Sequence, residues 1–140
     1  MSDLRSQIID KAREYIGTPF HLHARVKHIG IDCVGLIYCV LRDCGVAVKD
    51  HKLTTRDAVR VMRANELNRM LSDQLKSYDG IPRIGDVIST WAKDRMRRAS
   101  HAGFYTGRAS IIHAIRGPGV VEQTVDRSKI TGVFIVPGCE

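Results

Sequence analysis

Three of the four cysteines of this 140-residue chain lie in one stretch, GIDCVGLIYCVLRDCG, at residues 30–45. Cys33 is the one of the three that both follows an acidic residue and begins an apolar run. If Asp32 caps a helix there, the thiol lies beside unpaired backbone N–H groups at the positive end of the helix dipole. That position stabilises a thiolate, and the same N–H groups stabilise the oxyanion formed when a thiolate attacks a carbonyl. Cys33 is therefore a candidate nucleophile, with a disulfide and a metal site as the alternatives.

A nucleophilic cysteine needs a general base, and the base needs a group that orients it. His101 begins the strand-like run HAGFYTG, and His113 lies in the next run, SIIHAI. Residues 107–109 join the two runs and predict a β-hairpin, in which side chains on adjacent strands face one another. A line from Cys33 through His101 to His113 is geometrically possible. Spacing alone leaves a purely structural role for the two histidines equally open.

The metal alternative depends on three histidines in the loop before Cys33, namely His21, His23 and His28. Their spacing matches no C-x-x-C or H-E-x-x-H pattern, so we expect no metal site and no cofactor. The disulfide alternative is disfavoured by the N-terminus, which is charged throughout and lacks the apolar core of a secretory signal. We expect the chain to be made in the cytoplasm, where thiols stay reduced.

The other cysteines are given no chemical role. Cys39 lies six residues after Cys33, which places it on a different face of a helix, and it is expected to pack there with Cys44. Cys139, next to the last residue, is expected to be exposed. Asp86, in the sequence GDV, is expected to support a turn or the start of a strand rather than catalysis.

Two helices and a longer helical segment are predicted in the N-terminal half. Residues 3–16 carry an apolar stripe at helical spacing, and 33–43 form a second helix with one apolar face. Residues 18–31, between these helices, are predicted to be a loop. Residues 54–76 are expected to be helical in two pieces.

From Gly80 onward the pattern changes from helical to strand-like. Short apolar runs bounded by glycine predict five strands, in IPRIGDVIST, HAGFYTG, SIIHAI, GVVEQTV and GVFIVP. Helices followed by an antiparallel sheet are typical of an α+β domain. At this length we expect one domain, over residues 1–140.

The net charge of +7, from 22 basic and 15 acidic residues, favours anionic partners. No helix-turn-helix pattern, Cys/His finger or aromatic RNA-binding strand is present, so nucleic acid is not the expected partner. No apolar stretch approaches the roughly 18 residues that cross a membrane. These features leave a globular enzyme or a structural subunit as the main alternatives.

Four motifs together resemble the NlpC/P60 family of papain-like cysteine peptidases. They are DCVGL at 32–36, GDVI at 85–88, HAGFYTG at 101–107 and IIHA at 111–114, and their order and rough spacing match as well. The segment IGTPFHLHARVKHIGIDCVGL is similar to the phage-associated branch of that family. The resemblance covers about residues 5–125 and implies a papain-like fold, with N-terminal helices packed on an antiparallel sheet.

The resemblance implies a role for each member of the line. Cys33 would be the nucleophile, His101 the base and His113 the residue that orients His101. Family members typically hydrolyse peptide bonds in the stem peptides of bacterial peptidoglycan and use no metal. Phage-associated members occur with tail proteins, so a phage virion or tail is the expected setting and tail proteins the expected partners.

Some candidate substrate-binding residues are chosen because this chain differs from the family pattern at their positions. Members usually carry a tyrosine where this chain has Phe20, so either His21 or His23 supplies the missing polar group or no residue does. Asp32 would shape the entrance at the helix start. Gly35, in the first turn, lets a substrate or another backbone come close. All five are candidate substrate-binding residues.

Two alternatives to a hydrolase stay open on the sequence. One is a structural subunit of a phage tail that retains the fold with little or no catalysis. The other is an acyltransferase, since a transferase and a hydrolase share the same acyl-enzyme. Residues 46–80 form a longer segment than in compact family members and are expected to be a helical insertion that acts as a lid or a docking surface.

Overall fold

The computed structural model of the chain describes residues 3–50, 66–91 and 101–140. The helices in these ranges are α1 (Leu4–Glu14), α2 (Cys33–Asp43) and α3 (Glu66–Gln74). The strands are β1 (Arg25–Val26), β2 (Gly30–Ile31), β3 (Lys76–Tyr78), β4 (Val87–Thr90), β5 (His101–Gly107), β6 (Ser110–Ile115), β7 (Gly119–Thr124) and β8 (Ile130–Ile135). A 3₁₀ turn, Arg127–Lys129, precedes β8. Helices come first and the main sheet second, so the predicted α+β class is confirmed.

The two N-terminal helices each begin after an aspartate that caps the helix. Asp3 accepts a hydrogen bond from the backbone N–H of Ser6 at 2.8 Å, and Asp32 accepts one from Gly35 at 2.7 Å. Each bond satisfies one of the N–H groups that a helix start leaves without an intrahelical partner. The predicted helices at 3–16 and 33–43 are confirmed, the first with a slightly earlier end.

The main sheet contains six of the described strands in the order β3-β8-β4-β5-β6-β7, and every neighbouring pair is antiparallel. The predicted hairpin of β5 and β6 is present, with Gly107 opposite Ser110. β7 continues the meander, and β8 returns to pair with β4 on one side and β3 on the other. The sequence pattern did not predict β3, because Lys76–Tyr78 is exposed and shows no apolar alternation.

The main core lies between the helices and one face of this sheet. It includes Leu36 and Leu41 of α2, Ala102 and Phe104 of β5, and Ile112 of β6, all nearly or completely buried. Alternate positions on β5 and β6 contribute instead to a second, smaller cluster of Ile88, Tyr105, Ile111 and Val133. Because side chains alternate along a strand, His101 and His113 share the face opposite Ala102 and Ile112.

The loop predicted at 18–31 contains a small ribbon that the sequence did not predict. β1 and β2 pair antiparallel, with Arg25 opposite Ile31. The loop is also fixed to β7, since Val120 donates its backbone N–H to the carbonyl of Thr18 at 2.9 Å. These contacts hold the segment before Cys33 against the sheet.

The predicted helical segment at 54–76 falls only partly within the described residues. Its second piece is α3, which buries Leu67 and Leu71 in the main core. Residues 51–65 lie outside the described residues. Within the described ranges, no helix is long and apolar enough to cross a membrane.

The two ends of the chain meet through Arg5. Its guanidinium donates to Asp86 Oδ1 at 2.7 Å, to the Ile84 carbonyl at 2.9 Å and to the Cys139 carbonyl at 2.8 Å. Asp86 is fully buried and also accepts from the backbone N–H of Arg83, which agrees with the turn role predicted for it. The prediction that Cys139 is exposed is wrong, because this tether draws the C-terminus against the core and buries the thiol.

Candidate active site

Cys33 is the first residue of α2 and lies against the start of β5. The backbone N–H groups of Ala102, Val34 and Cys33 itself lie close enough to Sγ to lower the pKa of the thiol. Ala102 directly follows His101, so the thiol lies against the part of β5 that carries the first histidine. The side chain of Cys33 is partly buried at this junction.

The charge state of Cys33 differs from the one that the helix start alone predicts. Burial, followed by the negative charge of Asp32, raises the pKa of the thiol to about 11. The N–H groups of Ala102, Val34 and Cys33 lower that pKa but do not reverse the shift. The expectation of a stabilised thiolate is therefore wrong for the free protein. At neutral pH the site holds a thiol, and its proton must leave when the sulfur attacks.

The two histidines form a hydrogen-bonded pair. His101 Nε2 lies 2.6 Å from His113 Nδ1, and the ring centroids are 4.6 Å apart in an edge-to-face arrangement. Burial lowers the pKa of both rings, and the neighbouring His113 lowers that of His101 further. Both imidazoles are thus neutral at pH 7. A neutral imidazole accepts a proton, as a general base requires.

A third polar side chain, Gln123, extends this pair and was not predicted from the sequence. Its Nε2 lies 2.8 Å from His113 Nε2, so both ring nitrogens of His113 have partners. Gln123 is an exposed residue on β7, at the edge of the sheet. Val121 lies opposite His113 in the sheet, and Gln123, two residues further along β7, is on the same face of that strand as Val121. The contact of Gln123 with His113 can be predicted from the sequence only when the register of β7 on β6 is known.

A glycine allows the two strands that carry the histidines to approach closely. A Cβ at Gly103 would lie 2.5 Å from the carbonyl oxygen of Ile112 and 2.7 Å from the side chain of Ile111. Those distances are well inside van der Waals contact, so any other residue would push β6 away. Gly103 thereby preserves the short contact between the His101 and His113 rings.

Asp32 lies at the centre of a buried network that fixes the start of α2. Its Oδ1 accepts from Gly35 N–H and from Arg25 Nη1 at 2.9 Å, and its Oδ2 accepts from the backbone N–H of His23 at 2.7 Å. Arg25 also donates to both oxygens of Asp50, at 2.7 and 3.2 Å. Both carboxylate oxygens of Asp32 are therefore engaged by protein, and its visible role is to position the helix.

The position that a side chain would occupy at Gly35 is filled by neighbouring protein atoms. A Cβ there would lie 2.7 Å from Arg25 Nη1 and 2.9 Å from the carbonyl oxygen of Ala24. The sequence predicts that either a substrate or another backbone segment approaches Gly35. In the structure the backbone of Ala24 does so. Gly35 lets residues 24 and 25 close over the first turn of α2.

The remaining predicted substrate residues lie in the loop before α2. Phe20 is partly buried against the main core and lies under the guanidinium of Arg116, 5.2 Å from its ring centroid. His21 is exposed, and its ring lies over Gly30. His23 has a left-handed backbone with φ of 67°. Within the described ranges, Nε2 of His23 is the one buried side-chain nitrogen or oxygen without a hydrogen-bond partner.

A metal centre finds no support in this loop. Among residues 3–50, 66–91 and 101–140, no three His, Cys, Asp or Glu side chains are grouped so that they could hold an ion. His28 is exposed, and its backbone N–H donates to Thr18 Oγ1. The expectation that the protein uses no metal or cofactor stays a prediction.

Comparison with solved structures gives the same fold in proteins of low sequence identity. The NlpC/p60 domain of the peptidoglycan hydrolase SagA is 20% identical, with 93% of this chain and 97% of that chain covered and a TM-score of 0.64. RipD from Mycobacterium tuberculosis, a non-catalytic NlpC/p60 domain protein adapted to peptidoglycan binding, is 15% identical, with 96% and 98% covered and a TM-score of 0.63. NlpC2 from Trichomonas vaginalis reaches a TM-score of 0.71 at 13% identity, where this chain covers 48% of that chain.

Sequence comparison assigns the family. No curated protein matches the chain in sequence. The model of the NlpC/P60 family, by contrast, matches residues 17–136, a span that contains Cys33, His101 and His113. The predicted papain-like α+β fold of that family is confirmed by the structural neighbours. This chain belongs to the NlpC/P60 family.

Proposed function

We propose that the protein is a cysteine hydrolase that cleaves peptide bonds in the stem peptides of bacterial peptidoglycan. The observation that carries the proposal is the juxtaposition of Cys33, at the start of α2, with the hydrogen-bonded pair of His101 and His113. The family consists mostly of cysteine peptidases, although RipD is non-catalytic. A chain that keeps a thiol and two neutral imidazoles together retains the groups that acyl transfer needs.

In the proposed acylation step, Cys33 Sγ bonds to the substrate carbonyl carbon while its proton moves to His101. Because the free thiol has a raised pKa, proton transfer accompanies attack instead of preceding it. Backbone N–H groups at the start of α2 stabilise the oxyanion. His101 then gives the proton to the leaving amine as the C–N bond breaks, which leaves a thioester on Cys33.

In the proposed deacylation step, His101 removes a proton from water, which attacks the thioester carbonyl. The C–S bond breaks, the acid product leaves, and the proton returns to Cys33. His113 holds the ring of His101 through the 2.6 Å hydrogen bond. If an amine replaces water as the acceptor, the same steps transfer the acyl group. The transferase alternative therefore differs only in the group that enters.

The choice of peptidoglycan is supported by two structural neighbours, since SagA hydrolyses peptidoglycan and RipD is adapted to bind it. A wall that carries anionic polymers also suits a chain with a net charge of +7. We include Asp32, Phe20, His21, His23 and Gly35 in the proposed substrate region.

The proposed setting is a phage or prophage tail, where local cleavage of the wall aids DNA entry. It is supported by the sequence similarity of residues 16–36 to the phage-associated branch. We propose that residues 1–140 form one domain, with 46–80 as an insertion that contacts tail proteins.

The direct test is incubation of the purified protein with defined muropeptides, followed by mass spectrometry of the products. We expect cleavage within the stem peptide, its loss in Cys33→Ala, and no change in Cys39→Ala. A chelator is expected to leave the rate unchanged. Binding of muropeptides without any cleavage by the wild type would contradict the hydrolase and indicate a binding role like that of RipD.

A further inference from the structure

The line of polar groups in the site does not end at His113. Cys33 lies near the backbone of Ala102, the residue after His101. His101 Nε2 bonds His113 Nδ1 at 2.6 Å, and His113 Nε2 bonds the amide of Gln123 at 2.8 Å. Gln123 lies on the edge strand β7 and is exposed, whereas His113 is buried. The line therefore runs from the partly buried thiol to an amide group at the surface.

Each neutral imidazole carries one N–H, so the bonds in this line constrain one another. In the structure, the amide nitrogen of Gln123 faces His113 and donates to its Nε2. His113 must then carry its proton on Nδ1 and donate it to His101 Nε2. That arrangement leaves the proton of His101 on Nδ1, so His101 has no lone pair with which to accept the proton of Cys33.

Rotation of the Gln123 amide by half a turn reverses every bond in the line. The carbonyl oxygen Oε1 then accepts from Nε2–H of His113, and His113 Nδ1 accepts from Nε2–H of His101. Nδ1 of His101 becomes a free acceptor for the proton of Cys33. Amide nitrogen and oxygen occupy nearly the same positions, so the rotation needs little other movement.

We propose that Gln123 is a positioning residue whose amide orientation sets the tautomer of His101 through His113. Only the orientation with Oε1 toward His113 makes His101 a general base. The inference depends on the proposed function for the identity of His101 as the base. The effect on the tautomer itself depends only on the hydrogen bonds at 2.6 and 2.8 Å.

Two substitutions separate this role from simple packing because they make opposite predictions. Gln123→Glu offers only an acceptor to His113 and fixes the productive arrangement. Gln123→Lys offers only donors and fixes the unproductive one. Thr124→Ala is the control, because Thr124 is also exposed on β7 but lies on the other face of the strand.

The readouts are ¹⁵N NMR of histidine-labelled protein, at a pH where both rings are neutral, and kcat on a muropeptide. In Gln123→Glu we expect His113 to carry its proton on Nε2 and kcat to stay within a few-fold of the wild type. In Gln123→Lys we expect the proton on Nδ1 and kcat lower by roughly tenfold or more, the value of about one hydrogen bond. Thr124→Ala should match the wild type in both readouts.

The inference is overturned if the tautomer of His113 is the same in the Glu and Lys variants, or if both variants lose kcat equally. The second result would indicate a packing role. A wild type without hydrolytic activity, whose His113 tautomer still follows residue 123, would support the tautomer role and overturn only the proposed function. The two failures are thus distinguishable.

Discussion

α1 and α2 begin in the same way but lie in different surroundings. Asp3 and Asp32 both cap a helix by accepting from the backbone N–H three residues later, at 2.8 and 2.7 Å. Asp3 is exposed, and apart from the helix cap only the nearby charge of Arg5 contributes to lowering its pKa. Asp32 is buried and also accepts from Arg25 and from the backbone of His23.

The difference shows what a local motif does and what its environment adds. At α1 the carboxylate of Asp3 accepts a hydrogen bond from the free backbone N–H of Ser6, and this is its main contact. At α2 the same cap is joined to the loop before the helix, and that loop closes over the first turn beside Cys33. At α2 the helix cap is also an ion-pair partner of Arg25, which Asp50 holds from its other side.

The largest expected difference concerns the first residue of each helix. Cys33→Ala should lower muropeptide cleavage by about 10⁴-fold or more, since it removes the proposed nucleophile, with little change in the midpoint of thermal unfolding. Leu4→Ala, at the equivalent position of α1, should lower the midpoint and leave kcat unchanged, because Leu4 packs against the core. Activity assays and thermal scans of both variants measure the contrast. Loss of folding in Cys33→Ala would show that the thiol acts through packing.

The second difference concerns the alkylation of Cys33 against pH. Because burial and Asp32 raise its pKa to about 11, the thiolate fraction at pH 7 is small and rises with pH. The rate of alkylation should therefore increase about tenfold per pH unit from pH 7 to pH 10. Mass spectrometry of each cysteine gives the rate, with Cys44 at the C-cap of α2 as an internal comparison. A rate that is already maximal below pH 7 would mean that a thiolate and a protonated histidine coexist in the free protein.

The features that local spacing determines were predictable from the sequence. Both caps, the hairpin of β5 and β6, and the approach of His101 to His113 follow from residue types within short distances along the chain. The pKa of Cys33 was predicted in the wrong direction, because the helix start is local whereas the burial of the thiol against β5 is not.

Features that depend on distant partners were missed. Gln123 becomes visible only once the register of β7 on β6 is known. The contacts of Arg25 with Asp50 and of Arg5 with Cys139 join residues far apart in the sequence. No periodicity marks such pairs in advance, which is why the support of the site, unlike its central residues, could not be predicted.

A third test compares the two caps directly by removing each carboxylate. Asp32→Ala should lower the free energy of unfolding by about 3–5 kcal/mol, since it leaves the buried Arg25 with one fewer anionic partner and also removes the cap. Asp3→Ala should cost much less, because its surroundings are exposed and screened. Urea unfolding of both variants measures the difference. Equal losses would mean that the network around Arg25 adds nothing to the cap.

The smallest expected effect is a difference in the pH ranges over which His113, in the candidate site, and Asp3, at the start of α1, contribute to the free energy of unfolding. Burial lowers the pKa of His113 from 6.5 to about 4, so the unfolded chain binds a proton first as the pH falls. The contribution of His113 to stability is complete above pH 6.5 and is lost between pH 6.5 and about 4, by up to roughly 3 kcal/mol. Asp3 has its pKa lowered below 3.8, chiefly by the N–H of Ser6, so its contribution is lost only at still lower pH.

Urea unfolding at a series of pH values resolves the two windows. His113→Asn should reduce the loss of stability between pH 6.5 and 4, of which His101 retains a share because its own pKa is lowered to about 3, and Asp3→Ala should leave that window unchanged. If His113→Asn keeps the full wild-type slope, the ring of His113 is solvated in the folded protein. The hydrogen bonds that His113 makes with Gln123 and His101 would then not isolate it from water, and the surroundings of α2 would resemble those of α1 more closely than the structure indicates.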